Sequence, residues 1–78
     1  MNRTNVVVMN ALSKRTNRSI ATGGDGFIPT GTLSFDAGLN TRAIRRVLDQ
    51  ALIMGVVERR YNGPGASYSY RVVEGKCF

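Results

Sequence analysis

The sequence contains no histidine, no tryptophan and a single cysteine, Cys77. Without histidine the commonest general acid or base is missing, and the five carboxylates show no paired spacing of the kind that acid–base catalysis uses. One cysteine cannot form an internal disulfide, and it has no histidine or second cysteine with which to bind zinc. We therefore expect no enzymatic activity, no metal site and no other cofactor.

Long apolar runs are also missing. The longest, residues 51–57, is interrupted by Gly55 and falls far below the roughly 18 residues needed to cross a bilayer. The apolar run at residues 6–9 is too short for the core of a cleavable secretion signal. We expect no contact with a membrane and a location in the cytoplasm, associated with the nucleoid.

Negative charge is scarce, because 5 Asp and Glu stand against 11 Lys and Arg, for a formal net charge of +6. An anion is therefore the expected partner. A chain of 78 residues supports one small core, so residues 1–78 are predicted to form a single domain with a flexible tail at residues 74–78. We therefore expect no second domain that would bind a small-molecule effector.

The first half of the chain predicts two helices around a long loop. Apolar residues at steps of three and four predict a first helix, capped by Thr4 and ending near Arg15. Residues 16–26 are polar and glycine-bearing and predict a loop, and residues 27–29 suit a short edge strand. A second helix, capped by Thr30 or Thr32, is predicted to end at Gly38.

The strongest periodic signal lies in the third predicted helix, which covers residues 41–54 and is capped by Asn40 or Thr41. Its apolar residues follow an i, i+3, i+4, i+7, i+8 pattern that predicts one buried stripe. The members of the stripe are Ile44, Val47, Leu48, Ala51 and Leu52. Burial of this stripe turns Arg42, Arg45 and Arg46 toward solvent or a ligand.

The last part of the chain predicts a β-hairpin. Residues 56–61 and 67–73 are rich in β-branched and aromatic residues, and they flank a glycine- and proline-containing turn at residues 62–66. Alternation along the second strand places Tyr68, Tyr70 and Val72 on one face, where packing on the helices is favoured over stacking on single-stranded bases. The predicted class is α+β.

This order of elements is that of a winged helix-turn-helix, and residues 31–57 resemble the GntR-type bacterial repressors. The resemblance rests on the run from Gly38 to Leu48, which reads GLNTRAIRRVL, and on Gly55-Val56-Val57 after it. Members of that family typically have glycine, leucine, a capping residue and then R-R-x-L at the turn and recognition helix. Residues 32–37 also resemble the family's first motif helix.

The resemblance implies a DNA-binding transcriptional regulator with three helices and a C-terminal hairpin wing over residues 57–73. Its recognition helix would enter the major groove, with Thr41, Arg42 and Arg45 reading bases and Arg46 contacting phosphate. Further expected DNA contacts are Thr32, Asn40, Arg60, Asn62, Ser67 and Arg71. Members of such families commonly bind as homodimers on half-sites about one turn apart, although no segment here stands out as a dimerisation helix.

Other interpretations of these residues stay open. A charged helix face can be merely a solvated surface, and arginines on a hairpin can serve to block edge pairing. The chain could also coat DNA or bind RNA with little sequence preference, or use its winged helix to bind another protein. Asn62 and Ser67 are as well suited to hydrogen bonds within the turn as to contact with DNA.

Overall fold

The computed structural model describes residues 3–64 and 68–73. It contains three helices, α1 (Arg3–Ala21), α2 (Thr30–Ala37) and α3 (Thr41–Ile53), and three short strands, β1 (Ile28–Pro29), β2 (Val57–Arg60) and β3 (Ser69–Val72). The strands form one antiparallel sheet in the order β1-β3-β2. The α+β class and the winged helix-like arrangement of three helices with a C-terminal hairpin are thus confirmed. None of the helices in these two ranges is long and apolar enough to span a membrane.

Helix α1 is longer than the sequence pattern indicated. The predicted end near Arg15 was wrong, because the helix continues to Ala21, and the loop predicted over residues 16–26 is confined to residues 22–26. Thr16 is buried and donates a hydrogen bond from Oγ1 to the Gly26 carbonyl at 2.9 Å, and Ser19 Oγ accepts one from the Gly26 amide at 3.1 Å. These polar side chains therefore face the returning chain rather than solvent, which is how a polar segment remains helical.

The start of α1 also differs from the prediction. The helix already includes Arg3, so Thr4 lies inside its first turn and is not the N-cap. Its buried face consists of Val8, Leu12 and Thr16, which follow one another at steps of four residues. This spacing places them one above the other on the side that packs against the other elements.

Helix α2 follows β1 without an intervening residue. Pro29 occupies the N-cap position and makes no side-chain capping bond, so the predicted capping by Thr30 or Thr32 was wrong. Thr30 is instead buried as the first residue of the helix. The C-terminal prediction is confirmed, since Gly38 adopts a left-handed φ of 68° and its amide donates to the Ser34 carbonyl at 3.0 Å.

Helix α3 agrees closely with the sequence pattern. Of the two capping residues considered, Asn40 is the cap, because its Oδ1 accepts a hydrogen bond from the Ala43 amide at 2.8 Å. The helix ends at Ile53, with Met54 as C-cap and Gly55 at a positive φ of 77°. The predicted stripe is buried at Ile44, Val47, Leu48 and Ala51, and Leu52 is half-buried against the same core.

The sheet closes one side of the core. Its strands are shorter than the predicted 56–61 and 67–73, and β1 adds a third strand by pairing Ile28 with Tyr70. Pro29 lies at this edge, where the missing amide is tolerated. Tyr70 is fully buried, and Tyr68 and Val72 pack partly buried against the core, so the predicted packing role of this face is confirmed. The predicted tail at residues 74–78 and the predicted turn residues 65–66 lie outside the described residues.

Candidate nucleic-acid interface

The exposed face of α3 is a consequence of how its opposite face packs. Ile44, Leu48 and Ala51 are completely inaccessible to solvent, so the rotation of the helix about its axis is set by the core. Arg42, Arg45 and Arg46 are consequently exposed, as the sequence pattern predicted. We call these three residues the α3 arginines. They form one turn of positive charge directly after the turn between α2 and α3.

A shallow depression of about 620 Å³ runs along this face of α3. The α3 arginines line it together with Thr41 at its start and with residues one and two turns farther along the helix. Its complete lining is Thr41, Arg42, Arg45, Arg46, Asp49, Gln50 and Ile53. The surface thus combines guanidinium donors, an amide, a hydroxyl, one carboxylate and one apolar side chain, which are the groups that contact base edges and thymine methyls.

Ion pairing separates the arginines of this chain into two groups. Each of the four carboxylates in residues 3–64 and 68–73 lies within 4.0 Å of an arginine nitrogen: Asp25 with Arg60, Asp36 with Arg15, Asp49 with Arg59, and Glu58 with Arg71. The α3 arginines have no ion pair or hydrogen bond from their side chains to any other described residue. Six Lys and Arg side chains of residues 3–64 and 68–73 therefore have no carboxylate partner. Three are the α3 arginines, which lie together on one helix face, and the other three are Arg3, Lys14 and Arg18 of α1.

The polar residues that flank the α3 arginines differ in their exposure and in whether their side chains already make hydrogen bonds. Thr41 is exposed at the first position of α3 and lines the depression. Asn40 is exposed, but its side-chain oxygen is used to cap the helix, which leaves its amide nitrogen as the group that can face a ligand. Thr32 lies half-buried in the first turn of α2 and does not line the depression.

The wing arginines Arg60 and Arg71 have partners within the protein. Both lie on the sheet face opposite the buried Tyr70, and their guanidinium carbons stack on the Phe27 ring at 4.5 and 4.4 Å from its centroid. Arg60 also pairs with Asp25. Arg71 donates to Glu58 at 2.8 Å and to the Asp25 carbonyl at 3.0 Å. The geometry thus gives both residues a structural role, while the predicted contact with DNA stays a prediction.

The tip of the wing is only partly described. The Nδ2 of Asn62 donates a hydrogen bond to Ser69 Oγ at 2.8 Å, so this amide is engaged in the hairpin itself. That contact agrees with the turn-chemistry interpretation of Asn62. The other tip residue predicted to contact DNA, Ser67, lies outside the described residues.

Contacts through Asp49 connect the wing to α3. The Arg59 guanidinium lies 3.9 Å from Asp49 Oδ1 and 4.4 Å from the centroid of the Tyr68 ring. The Tyr70 hydroxyl donates to the same Asp49 oxygen at 3.3 Å. Burial is the main cause that raises the pKa of the Tyr70 phenol, and the negative charge of Asp49 adds to it. The phenol therefore stays protonated and can donate this hydrogen bond. The angle between the wing and α3 is held by these contacts.

Comparison of the sequence with protein-family models and with curated proteins finds no match. The resemblance to GntR-type repressors thus depends on residues 31–57 alone.

Three residues of this surface, Asp49, Gln50 and Ile53, were not among the predicted site residues. Successive helical residues are about 100° apart, which places Arg42, Arg46 and Ile53 within about 30° of the direction opposite the buried stripe. On the same basis Arg45 and Gln50 lie about 70° from that direction, one on each side of it. The signal for Gln50 was present in the sequence, because it follows Arg46 by one helical turn.

Proposed function

We propose that this protein is a small sequence-specific double-stranded DNA-binding protein that regulates transcription. In this proposal α3 enters the major groove and the β2–β3 hairpin lies along the DNA backbone. The observation that carries it is the group of α3 arginines, which are exposed on one helix face and have no partner within the described residues. Three unpaired guanidinium groups within five residues on one exposed helix face concentrate positive charge where an anionic ligand can reach it.

The chemistry of this face suits DNA for two reasons. The major groove is wide enough to admit an α-helix, and a guanidinium group can donate two parallel hydrogen bonds to guanine N7 and O6 or to phosphate oxygens. The net charge of +6 adds attraction to the polyanion that is independent of sequence. We assign base contacts to Thr41, Arg42 and Arg45 and a phosphate contact to Arg46, which sets the register without reading sequence.

The α2–α3 turn and the wing orient this surface. The Asn40 cap fixes where α3 begins, and Arg59 and Tyr70 hold the wing to α3 through Asp49. A DNA duplex would therefore meet a largely preformed surface. Action as a homodimer on two half-sites and location with the chromosome belong to the same proposal, which requires no small-molecule effector.

The decisive experiment is selection of bound fragments from a random DNA pool, followed by electrophoretic mobility shift with excess random DNA. We expect a consensus sequence, palindromic if the protein binds as a dimer. Arg42→Gln or Arg45→Gln should then cost about 1 to 3 kcal/mol of binding free energy, concentrated at one base pair. Arg46→Gln should weaken binding to all sequences alike and reduce the salt slope by about 1.

Arg3→Gln is the matched control, since it removes the same charge from an exposed position on α1. It should change affinity much less than any α3 variant. Retained binding with no consensus would contradict sequence specificity and support a nucleic-acid-coating or RNA-binding role. Absence of binding to any DNA would contradict the proposal and favour a winged-helix module that binds protein.

A further inference from the structure

A second basic surface lies between α1 and α2, away from the depression on α3. It is a groove of about 500 Å³ whose lining includes Val7, Ala11, Lys14, Arg15 and Arg18 of α1 and Asp36 of α2. None of its lining residues belongs to the α3 depression. The proposed DNA-binding function does not use this groove.

Charge in this α1–α2 groove is unbalanced. Arg15 is neutralised by Asp36, to which its guanidinium donates two hydrogen bonds at 2.5 and 2.8 Å. The side chains of Lys14 and Arg18 have no hydrogen bond or ion pair to another residue in the described part of the chain. Three cations thus surround a single carboxylate, which leaves two positive charges for an external anion.

The same groove has an apolar part. Val7 and Ala11 lie one helical turn apart on α1, and both are only partly buried by the fold. Lys14 lies on the same side of the helix, three residues after Ala11, and Arg18 lies one turn farther along, four residues after Lys14. An apolar patch is therefore followed along α1 by a cationic one.

This combination distinguishes between occupants. A second copy of the chain is a poor fit, because each carboxylate of residues 3–64 and 68–73 is already paired with an arginine. A DNA backbone has phosphates for Lys14 and Arg18 but no apolar group to cover Val7 and Ala11. An acidic amphipathic peptide segment supplies both kinds of group.

We propose that the α1–α2 groove docks an acidic amphipathic segment of a partner protein. Apolar side chains of that segment pack on Val7 and Ala11, and its carboxylates pair with Lys14 and Arg18. The protein would then hold DNA on α3 and a protein partner on α1 at the same time. The docking site stands independently of the proposed DNA binding, because the two surfaces share no residue.

The test uses the full chain and a synthetic peptide. The probe is a fluorescein-labelled amphipathic peptide of about 15 residues, with leucine in an i, i+3, i+4, i+7 pattern and glutamate elsewhere. A control peptide carries glutamine in place of every glutamate. Fluorescence anisotropy measures affinity, and amide chemical shifts of the isotope-labelled protein locate the contact. We expect shifts at Val7, Ala11, Lys14 and Arg18, binding that weakens with added salt, and little binding of the control peptide.

Two charge-matched double variants separate this proposal from the DNA-binding one. Lys14→Gln/Arg18→Gln should weaken peptide binding by about five-fold or more, whereas Arg42→Gln/Arg46→Gln should change it by less than about two-fold. Mobility shift on DNA should show the opposite order. Circular dichroism checks that both variants keep the fold, which is expected because all four side chains are exposed.

Three outcomes would overturn the proposal. The first is absence of shifts at the groove at millimolar peptide, and the second is equal binding of the glutamine control peptide. The third is a loss of DNA affinity in Lys14→Gln/Arg18→Gln as large as that in Arg42→Gln/Arg46→Gln, which would make the groove part of a nucleic-acid surface. A chain that binds the peptide but no DNA would contradict the proposed function alone.

Discussion

Arg15 of α1 donates hydrogen bonds to both carboxylate oxygens of Asp36 on α2, from Nε to Oδ2 at 2.5 Å and from Nη2 to Oδ1 at 2.8 Å. The two residues are 21 positions apart in sequence. Their pairing joins the first helix to the helix that precedes α3. It also removes Arg15 from the set of cations that can bind a ligand, and it makes the packing of α1 on α2 sensitive to acid.

The hydrogen bonds from Arg15 lower the pKa of Asp36 below its ordinary value of 3.8. A lowered folded-state pKa adds stability that is fully present above the unfolded-state pKa and is lost as the pH falls through the folded-state pKa. We therefore expect the free energy of unfolding to decrease once the pH falls below about 4. Urea titrations across the acidic range should show a shallower decrease for Asp36→Asn than for the wild type. Identical pH dependence in the two proteins would contradict this assignment.

Asn40 is predicted to stabilise α3 through its side-chain cap. Because Asn40 Oδ1 accepts from the Ala43 amide, Asn40→Ala leaves that amide without its partner and should cost about 1 kcal/mol in the free energy of unfolding. Asn17→Ala is the control, since Asn17 is exposed in the interior of α1, where alanine is the better helix former. Urea denaturation followed by circular dichroism measures both. A loss in Asn17→Ala as large as that in Asn40→Ala would rule out a specific capping effect.

Gly38 ends α2 in a left-handed conformation that alanine adopts at a cost. A Cβ at this position would meet no atom within 4 Å, so the expected loss of about 1 kcal/mol in Gly38→Ala comes from backbone strain rather than from a clash. Gly31, in the first turn of α2, also has free space around it and has no positive φ. Gly31→Ala should therefore stabilise the protein by up to about 1 kcal/mol. Thermal unfolding of the two variants should shift the midpoint in opposite directions.

Arg71 is predicted to matter more for stability than for DNA affinity. Arg71→Gln removes the contacts with Glu58, the Asp25 carbonyl and the Phe27 ring, at an expected cost of about 1 kcal/mol in the free energy of unfolding. Arg46→Gln removes the same charge from a residue without such contacts, and it should leave stability within about 0.5 kcal/mol of the wild type. The salt slope of DNA binding should change for Arg46→Gln and not for Arg71→Gln. A reduced slope for Arg71→Gln would instead show that the Arg71 side chain itself contributes to the contact of the wing with the DNA backbone.

Local sequence determined the part of the fold that carries the α3 surface. The stripe from Ile44 to Ala51 specifies one buried face, and a helix with one buried face must expose the residues between its members. Gly38 can adopt the left-handed conformation that ends a helix, and Asn40 has a side-chain oxygen that can cap the start of one. These two residues therefore located the turn between α2 and α3. Arg42, Arg45 and Arg46 were identifiable for the same reason.

Tertiary structure decided what local patterns do not encode. The segment after Arg15 looks like a loop by composition, and it is helical as far as Ala21 because Thr16 and Ser19 hydrogen-bond to Gly26, ten and seven residues farther along respectively. The sequence also could not predict which arginines form ion pairs, since nothing local distinguishes Arg60 and Arg71 from the α3 arginines. Their partners Asp25, Phe27 and Glu58 reach them only when the sheet forms. Periodicity reports which face of an element is buried, whereas charge neutralisation depends on distances between elements, and those are set only when the whole chain packs.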